Sequence, residues 1–553
     1  MSESKANRER VSTAGSVFRR PSGPCFDSRA VDSWQFAVSH STTMDLHVDY
    51  RISLSLVGTV LKYTTVPLFL PLAIAVIYGE SVLPFVVTIV VALAVGIGLE
   101  ELHPEPELGR REGFLFVSLT WLAVPLVGML PYLVAGQGTI ASPVNALFES
   151  MSGFTTTGST VLGEISVERH SRSILMWRQL TQWLGGMGII VLMVAILPKL
   201  SVGGAQLMEE EAPGFSFERL TPGIRETARA LWRIYIGFTL LAFGLYYALH
   251  LVGLAPNMDL YNAVAHALTT MPTGGFSPEA RSVEAFSPFI QWAVMPFMLI
   301  AGTNFALFWH AFNGRSDRLF ENAEFRSYVG TVGFVGAILT AFLVTGLGLA
   351  ETPEFVGTIP GNLEASARHA LFQSLAFITT TGYASMDFNT WSEPTQTVLL
   401  FAMFLGGSVG SAAGSIKIVR WYVIQRVVRR ELLTDVHPNA VIPIRVSDEV
   451  LDEETIYGLL AFTLLFLVLF AVSTLLIYFD THRIEADLTA LEAMSATIAT
   501  LGNVGPGFGI VGPMNSFLPF TDAAKLYMVF LMWIGRLEIL TVLVVLTPSY
   551  WWD

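Results

Sequence analysis

Four short segments of this 553-residue sequence end in threonine and glycine, residue types whose oxygens can surround a cation. They read NALFESMSGFTTTGS from Asn145, NAVAHALTTMPTGGFS from Asn262, ALFQSLAFITTTGYAS from Ala370 and ALEAMSATIATLGNVGPG from Ala490. Glycine has no Cβ to block a left-handed turn, and threonine adds hydroxyl oxygens. A ring of backbone carbonyls in such loops can replace the water shell of a cation. The Thr-Gly stretches contain no Asp or Glu, which disfavours a divalent-cation filter.

Each segment begins with about eleven helix-compatible residues, which rise about 16 Å, roughly half of the ~30 Å hydrocarbon core of a bilayer. We therefore expect re-entrant half-helices, whose irregular ends are tolerated only against protein or a water-filled cavity. A half-helix that enters from outside points the negative end of its dipole, about −0.5 charge, at the membrane centre, where it favours a cation. A single Thr-Gly ending also fits a helix C-cap, so the indication of a pore comes from all four segments together.

The composition indicates a membrane protein. Hydrophobic residues make up 52% of the chain and charged residues 14%, with a mean hydropathy of +0.55, whereas soluble domains carry about 25% charge. Apolar stretches recur at about 20 residues, the length of a membrane span, so we expect an all-α polytopic membrane protein. A nucleic-acid binder, a soluble enzyme and a secreted disulfide scaffold are disfavoured, since Cys25 is the single cysteine.

Ten spans are expected, two at the N-terminus and two around each segment. The predicted spans are residues 52–78, 82–99, 113–134, 174–197, 230–252, 289–308, 328–349, 395–428, 456–479 and 525–547. The predicted units are a disordered cytoplasmic tail (1–50), two N-terminal spans (51–105) and four repeats (106–200, 201–312, 313–435 and 436–553), with pore loops at 144–160, 260–277, 365–385 and 488–507. Because the four repeats share one topology, they favour a fourfold pore.

Charge predicts the orientation and the kind of organism. Lysine and arginine concentrate in the loops expected inside: Arg110, Arg111, Lys199, Arg219, Arg225, Arg315, Arg318, Arg326, Lys417, Arg420, Arg426, Arg429 and Arg430. We therefore expect both termini in the cytoplasm and the half-helices entering from outside. The chain has 45 acidic and 32 basic residues, for a net charge of −13, and few lysines. This acidity indicates a halophilic prokaryote, with ordinary variation among membrane-protein loops as the alternative.

The filter-like motifs closely resemble the TrkH/TrkG/KtrB superfamily of potassium transport proteins. These motifs are Ser152-Gly-Phe-Thr-Thr-Thr-Gly-Ser, Pro272-Thr-Gly-Gly-Phe-Ser, Thr379-Thr-Thr-Gly-Tyr and Gly502-Asn-Val-Gly-Pro-Gly, together with Arg111-Glu-Gly-Phe, Trp183-Leu-Gly-Gly-Met-Gly, Gly302-Thr-Asn-Phe-Ala-Leu and Gly535-Arg-Leu-Glu. The resemblance runs from about residue 52 to the C-terminus and is closest to the TrkH branch. It implies four K⁺-channel-like units around one pore and K⁺ uptake across the cytoplasmic membrane by the ion-translocating subunit of a Trk-type system.

The resemblance also implies which residues coordinate K⁺. They are the two residues before each filter glycine and that glycine: Thr156, Thr157 and Gly158; Pro272, Thr273 and Gly274; Thr380, Thr381 and Gly382; Asn503, Val504 and Gly505. In the fourth repeat, aligning the half-helices places the glycine near Gly502, whereas the family pattern places it at Gly505, which we prefer. The repeats depart from the symmetric filter of tetrameric channels, so selectivity over Na⁺ is expected to be weaker.

A glycine-rich stretch at 405–415, LGGSVGSAAGS, interrupts the span predicted at 395–428. Glycine costs about 1 kcal/mol in a helix interior, so a break is expected, with close helix packing through small residues as the alternative. The resemblance implies an intramembrane gating loop at 406–415. The implied gate residues are Gly406, Gly407, Gly410, Gly414, Lys417 and Arg536.

The two charged gate residues also fit ordinary structural roles. An arginine in mid-span costs at least ~2.5–3.5 kcal/mol unless it faces a cavity or partner. Arg536 therefore faces the pore, belongs to a buried ion pair or extends towards the membrane surface as a snorkelling side chain. Glu538 is expected to project from another side of the same helix. Lys417 fits ordinary positive-inside charge equally well. His266 has no metal-ligand partners at suitable spacing, so a packing or hydrogen-bonding role is expected.

Competing functions are a secondary carrier for another solute, a poorly selective Na⁺/K⁺ transporter and a membrane-embedded enzyme. Carriers use broken helices and inverted repeats, and an enzyme requires a nucleophile or metal cluster, which the predicted spans lack. No catalysis and no organic cofactor are expected; K⁺ is the transported ion. The resemblance implies a homodimer in the lipid membrane that works with a cytosolic, nucleotide-binding TrkA-type partner, and no nucleic acid.

The polar tail should be dispensable for transport. A chain that begins at Met44, itself a possible natural start, should insert and support K⁺ uptake, because residues 1–43 lie outside the repeats. Membrane fractionation and ⁸⁶Rb⁺ uptake test this expectation; loss of insertion would show that the tail orients the first span.

Overall fold

The computed structural model describes residues 48–103, 109–191, 224–447, 449–481 and 488–552. Most of the predicted tail, including Met44, lies outside these residues, as do Lys199, Arg219 and Arg483. The regular secondary structure of the described chain is helical apart from one two-stranded antiparallel hairpin, Arg445–Val446 with Glu449–Val450. The architecture agrees with the all-α fold that was predicted.

The N-terminal helices form a tightly packed hairpin. Their bounds are Tyr50–Tyr63, Phe69–Tyr78 and Leu83–Glu100. The chain bends between the first two helices, next to Pro67, because proline removes a helical hydrogen bond. A Cβ on Gly58 would lie 2.5 Å from the carbonyl oxygen of Gly96, so these small residues let the helices approach closely.

Each repeat has an outer helix, a short pore helix and an inner helix. In the first repeat the helices are Arg110–Gly128 with Leu130–Ala135, Pro143–Phe154 and Arg172–Val191; in the second they are Ile224–Leu251, Leu260–Thr270 and Pro288–Ala301 with Phe305–Phe312. In the third they are Ala323–Thr345, Leu363–Ile378 and Glu393–Ala402 with Ile418–Val436; in the fourth they are Glu453–Thr481, Ala490–Leu501 and Asp522–Arg536 with Leu540–Leu546. Two further short α-helices of the described residues are Asp317–Glu321 and Pro548–Trp551.

Among the described residues, fewer than ten helices qualify as spans by length and composition alone. Five are long and apolar enough: Leu83–Glu100, Arg111–Ala135, Glu226–Leu251, Ala323–Thr345 and Glu453–Thr481. Two more appear if the bent inner helices count as single spans; they bend by 95° in the second repeat and 114° in the fourth. The spans predicted at 52–78 and 395–428 are divided into shorter helices, so the ten-span layout stays a prediction.

Capping residues fix where the pore helices begin. Asp259, Asn362 and Thr489 accept the backbone N–H of Asn262, Ala365 and Glu492 respectively, and the first pore helix begins with Pro143. In the fourth, Glu492 completes a capping box. The pore helices therefore begin at defined points, and their other ends deliver the threonine- and glycine-containing loops to the interior.

Candidate functional site

The four loops after the pore helices share one unusual backbone conformation. In each loop a residue with a side chain has a positive φ, which is uncommon outside glycine. These residues are Thr156 (53°), Thr273 (55°), Thr380 (55°) and Asn503 (52°). Two residues later each loop has a glycine with positive φ: Gly158 (84°), Gly275 (77°), Gly382 (70°) and Gly505 (111°). The same strained pattern at four places shows that the loops are structural equivalents.

The conformation corrects the predicted register of the second loop by one residue. Its positive-φ glycine is Gly275, and Gly274 occupies the place of Thr157 in the first loop. Hydrogen bonds agree, because the Gly274 N–H donates to Thr269 O (2.9 Å) five residues back, as the Thr157 N–H donates to Ser152 O (2.9 Å). The predicted set beginning at Pro272 therefore starts one residue early. Because Gly274 and Gly275 are consecutive, the sequence does not indicate which of them is equivalent to Gly158.

In the fourth loop the geometry favours Gly505 over Gly502. Gly502 has φ of −84° and ends the pore helix, whereas Gly505 has the positive φ of the other three glycines. The Val504 N–H donates to Ala499 O (2.9 Å), which matches the Thr157 and Gly274 contacts. Asn503 and Val504 therefore occupy the places of Thr156 and Thr157.

The four loops close into a ring. A Cβ added to each positive-φ glycine would press on the carbonyl oxygen of the residue that precedes the glycine in the next loop. These contacts are Gly158 on Gly274, Gly275 on Thr381, Gly382 on Val504 and Gly505 on Thr157. The order runs from the first loop to the fourth and back to the first, so the loops surround one axis. We call the oxygens of Thr157, Gly274, Thr381 and Val504 the carbonyl ring.

Polar side chains on the pore helices hold the chain that leaves the ring. Nine residues before the glycine of the first three loops lie Glu149, His266 and Gln373. The Val161 N–H donates to Glu149 Oε2 (2.9 Å), His266 Nε2 lies 3.1 Å from Ser277 Oγ, and the Ser385 N–H donates to Gln373 Oε1 (3.2 Å). In the fourth loop Ser495 Oγ accepts the Phe508 N–H (2.9 Å). His266 thus has the hydrogen-bonding role expected for it.

A buried ion pair within the first repeat also contacts the second repeat. Arg178 Nε lies 2.5 Å from Glu149 Oε1, and both side chains are almost fully buried. Arg178 also donates to Ser277 O (2.9 Å) and covers the Phe276 ring. Sequence reasoning missed this pair, although a charged residue within an apolar segment is itself a signal of a partner or a function.

Gln182 makes the carbonyl ring unequal. Its Nε2 donates to Gly274 O (2.6 Å), and its Oε1 accepts the Phe276 N–H (3.0 Å). The other three carbonyls of the ring accept no hydrogen bond from any described residue. Among the described residues, the second loop is therefore the one whose ring carbonyl is held by a side chain of a neighbouring helix.

Hydrogen bonds between repeats support the ring from its sides. Asn503 Nδ2 donates to Thr157 Oγ1 (2.8 Å), Ser159 Oγ donates to Gly505 O (2.8 Å), and the Tyr383 hydroxyl lies 2.5 Å from Thr269 Oγ1. These contacts join the fourth loop to the first and the third loop to the second repeat. The ring therefore depends on all four repeats.

A further clamp lies beyond the glycines, between the second and third repeats. The Glu284 N–H donates to Ala384 O (3.0 Å), and the Ala384 N–H donates to Ser282 Oγ (3.2 Å). Burial raises the pKa of the Glu284 carboxyl, and the Arg281 guanidinium 2.7 Å away opposes this shift. The clamp fixes the third loop where it leaves the ring.

The predicted gating loop, residues 406–415, lies directly against the third and fourth loops. The Gly414 N–H donates to Thr380 Oγ1 (2.7 Å), and a Cβ on Gly414 would collide with Gly502 O. The loop is tied to the break between the second repeat's inner helices, where the Ser408 N–H donates to Gly302 O (2.8 Å) and the Phe305 N–H donates to Gly410 O (3.2 Å). The predicted break in this span is therefore present as an ordered, buried loop.

Three buried charges hold the loop backbone. Arg536 Nη1 donates to Ala412 O (2.8 Å), Lys417 Nζ donates to Ala413 O, and Glu324 Oε1 accepts the Val409 N–H (2.8 Å). No carboxylate of the described residues forms an ion pair with Arg536, which excludes the buried ion pair among them. Lys417 is only 5% exposed and therefore is not a surface charge of the positive-inside kind. Sequence reasoning missed Glu324.

The prediction that Glu538 projects from another side of the helix that carries Arg536 is wrong, because that helix ends at Arg536 and Glu538 lies just beyond it. Its carboxylate pairs with Arg420, with Nη2 and Oε2 2.5 Å apart. Glu538 and Ile539 both have positive φ where the inner helix of the fourth repeat bends. The ion pair therefore joins this bend to the helix that follows the gating loop.

Comparison with known proteins gives consistent matches. The family model TrkH, described as a cation transport protein, matches residues 84–551. The Trk system potassium uptake protein TrkH of Vibrio parahaemolyticus is 35% identical over 512 residues, covering 91% of this chain and 100% of the relative. The TrkH of Escherichia coli K12 is 34% identical, covering 91% and 99%. The crystal structure of the potassium transporter TrkH from Vibrio parahaemolyticus matches with a TM-score of 0.78 and 32% identity, covering 91% and 100%.

Removal of one partner of the buried Glu149–Arg178 pair should destabilise the protein. Glu149→Gln leaves the buried guanidinium without a counter-charge, and removing one partner of a buried pair costs about 3–5 kcal/mol. We expect a clearly lower apparent Tm in detergent, measured by size-exclusion chromatography after heating. The control is Glu168→Gln on the exposed surface, where changes stay within about 0.5 kcal/mol. Equal Tm values for the two variants would contradict the assigned role.

Proposed function

Because the chain belongs to the TrkH family of cation transport proteins, we propose that it takes up K⁺ across the cell membrane as the ion-translocating subunit of a Trk-type system. The observation that carries the proposal is the closed order of contacts among the four loops, each glycine lying on the next loop's carbonyl oxygen. A closed circle of backbone oxygens around one axis is suited to replacing the hydration shell of a monovalent cation.

The proposed ligands follow the register of the backbone. They are the residues from the first positive-φ residue to the glycine in each loop: Thr156, Thr157, Gly158, Thr273, Gly274, Gly275, Thr380, Thr381, Gly382, Asn503, Val504 and Gly505. Asp and Glu are absent from these positions, so backbone and hydroxyl oxygens coordinate the ion. The C-terminal ends of four pore helices add partial negative charge towards the axis.

The unequal carbonyl ring supports the second candidate, a transporter that also passes Na⁺. The Gly274 oxygen already accepts the Gln182 amide at 2.6 Å, so it has less capacity for an ion than the other three. Selectivity that depends on the number and field strength of coordinating carbonyls is then lower than in a symmetric filter. A secondary carrier with inverted repeats fits less well, because these loops follow one another around the axis in chain order.

The gating loop is the proposed gate, and Arg536 is its electrostatic component. The guanidinium is buried, donates to Ala412 O and has no carboxylate partner among the described residues. A cation in the inner pore opposes K⁺ by about 4 kcal/mol at 4 Å with an effective dielectric of 20. The small residues of the loop can move without repacking large side chains, so a cytosolic partner can open the gate at modest cost.

Assembly and location follow the family. We propose that the protein is a homodimer in the cytoplasmic membrane of a halophilic prokaryote, with both termini in the cytoplasm. We also propose that it works with a TrkA-type nucleotide-binding partner. The exposed basic residues Arg315, Arg426 and Arg445 lie in the predicted cytoplasmic segments and are candidate contacts for that partner. Lys417 and Arg420 lie in the same predicted cytoplasmic segments but are buried, so they are not available for docking.

Gly382→Ser should lower the preference for K⁺ over Na⁺. A Cβ at this position would collide with Val504 O, and its φ of +70° strains any L-residue, so the carbonyl ring loses its alignment. Competition of Na⁺ with ⁸⁶Rb⁺ uptake into proteoliposomes measures the preference. Gly330→Ser is the matched control, because a Cβ there meets no atom. A folded Gly382→Ser variant with the parent's preference would disprove the filter assignment of the third loop.

Arg536→Ala should raise ⁸⁶Rb⁺ uptake by proteoliposomes that contain no partner protein, while K⁺/Na⁺ preference stays near the parent's. The charge that opposes K⁺ is gone, whereas the carbonyl ring is unchanged. Arg536→Gln retains an N–H donor and lacks the charge, so it separates electrostatics from loop anchoring; exposed Arg326→Ala is the control. Unchanged or lower flux in both Arg536 variants would remove this residue from the gate.

A further inference from the structure

A small cavity lies where ions would enter the carbonyl ring. It has a volume of about 50 Å³ and is lined by all four positive-φ glycines, Gly158, Gly275, Gly382 and Gly505. This volume accommodates a few water-sized particles. We call it the outer cavity. Any ion that passes through the ring also passes through this space.

Two charged residues line the outer cavity, Arg178 and Glu279. Arg178 is neutralised by Glu149, 2.5 Å away. Glu279 forms no ion pair with any described residue. The net charge of the cavity wall is therefore negative and resides on one carboxylate, four residues after Gly275.

The Glu279 carboxylate is held in position by neutral groups. Asn262 Nδ2 donates to Glu279 Oε1 (3.0 Å), and the Glu279 N–H donates to Ser277 Oγ (3.0 Å). Asn262 Nδ2 also donates to Asn257 O (3.2 Å), which fixes the orientation of the carboxamide. Asn262 Oδ1 is then a buried acceptor without a donor in the described chain, on the same carboxamide that holds Glu279. The partners of the Glu279 carboxylate are therefore neutral, and its negative charge is available to a cation.

We propose that Glu279, supported by Asn262, forms an outer binding site for an alkali-metal cation, which it captures from bulk solution before the ion loses its water in the carbonyl ring. The inference rests on the proposed transport function and assigns the capture step to one side chain. One carboxylate without further acidic ligands favours a partly hydrated monovalent ion, since divalent sites generally use several carboxylates.

Capture by one carboxylate has a defined electrostatic signature. Opposite unit charges about 4 Å apart in water attract strongly enough to change a binding constant about five-fold. The attraction extends about 30 Å at 0.01 M ionic strength but only about 3 Å at 1 M. Removing the charge should therefore weaken ion capture at low salt and have little effect at high salt.

The test compares initial ⁸⁶Rb⁺ uptake by the full-length parent and by Glu279→Gln, which keeps an oxygen acceptor for Asn262. At about 0.01 M ionic strength we expect the KM for Rb⁺ to rise about five-fold in the variant, with unchanged maximal rate and unchanged Rb⁺/Na⁺ preference. The difference should shrink at about 1 M choline chloride. Glu168→Gln removes an equal charge from the exposed surface outside the cavity and should match the parent.

Binding of Tl⁺ to the detergent-purified protein provides a measurement that does not require transport. The parent should bind one more Tl⁺ at saturation, or bind it more tightly, than Glu279→Gln and the second variant, Glu279→Ser. Parent-like KM at low salt together with parent-like Tl⁺ binding in both variants would overturn the outer site. Absence of ⁸⁶Rb⁺ uptake by the parent would contradict the proposed function instead, and the Tl⁺ comparison would still decide the site.

Discussion

A cation that loses its water inside a membrane must be given a full set of oxygen atoms, and under the proposed function the rest of the structure depends on this constraint. Backbone carbonyls can supply these oxygens only where four loops of the chain approach one another more closely than side chains allow. Gly158, Gly275, Gly382 and Gly505 meet that requirement, because a Cβ at each would press on the neighbouring loop. The pore helices, their caps and the bends of the inner helices all serve to bring these four points together.

Buried polar groups are concentrated where the backbone is irregular. A helix satisfies its own N–H and C=O groups, but the filter loops and the gating loop do not, and hydrocarbon offers no water to replace those bonds. Glu149 and Gln373 accept N–H groups beyond the ring, and Glu324 and Arg536 bind the gating loop. Each of these side chains projects from a helix, so regular elements stabilise irregular ones.

The sequence alone predicts the pore loops because their pattern is local and repeated four times. It does not predict the register of the second loop, since Gly274 and Gly275 are consecutive glycines that only their φ angles and their contacts with the neighbouring loop distinguish. It also does not predict the role of Glu324, because a carboxylate in the first turn of a helix is ordinary and its partner, Val409, lies 85 residues away. Arg536 could be predicted from the sequence, because an arginine deep in an apolar helix requires a specific partner.

The contacts of the gating loop determine which part of the filter an opening motion disturbs. Gly414 reaches the filter through the Thr380 hydroxyl, whereas the oxygen that Thr380's loop contributes to the carbonyl ring belongs to Thr381. Withdrawal of the loop therefore removes a donor from a side chain and leaves the contact between Gly382 and Val504 in place. Gln182 holds the second loop, and Arg178 joins the chain that follows this loop to Glu149 of the first repeat. If the loop acts as the proposed gate, it can consequently switch conduction while the geometry of the carbonyl ring is preserved.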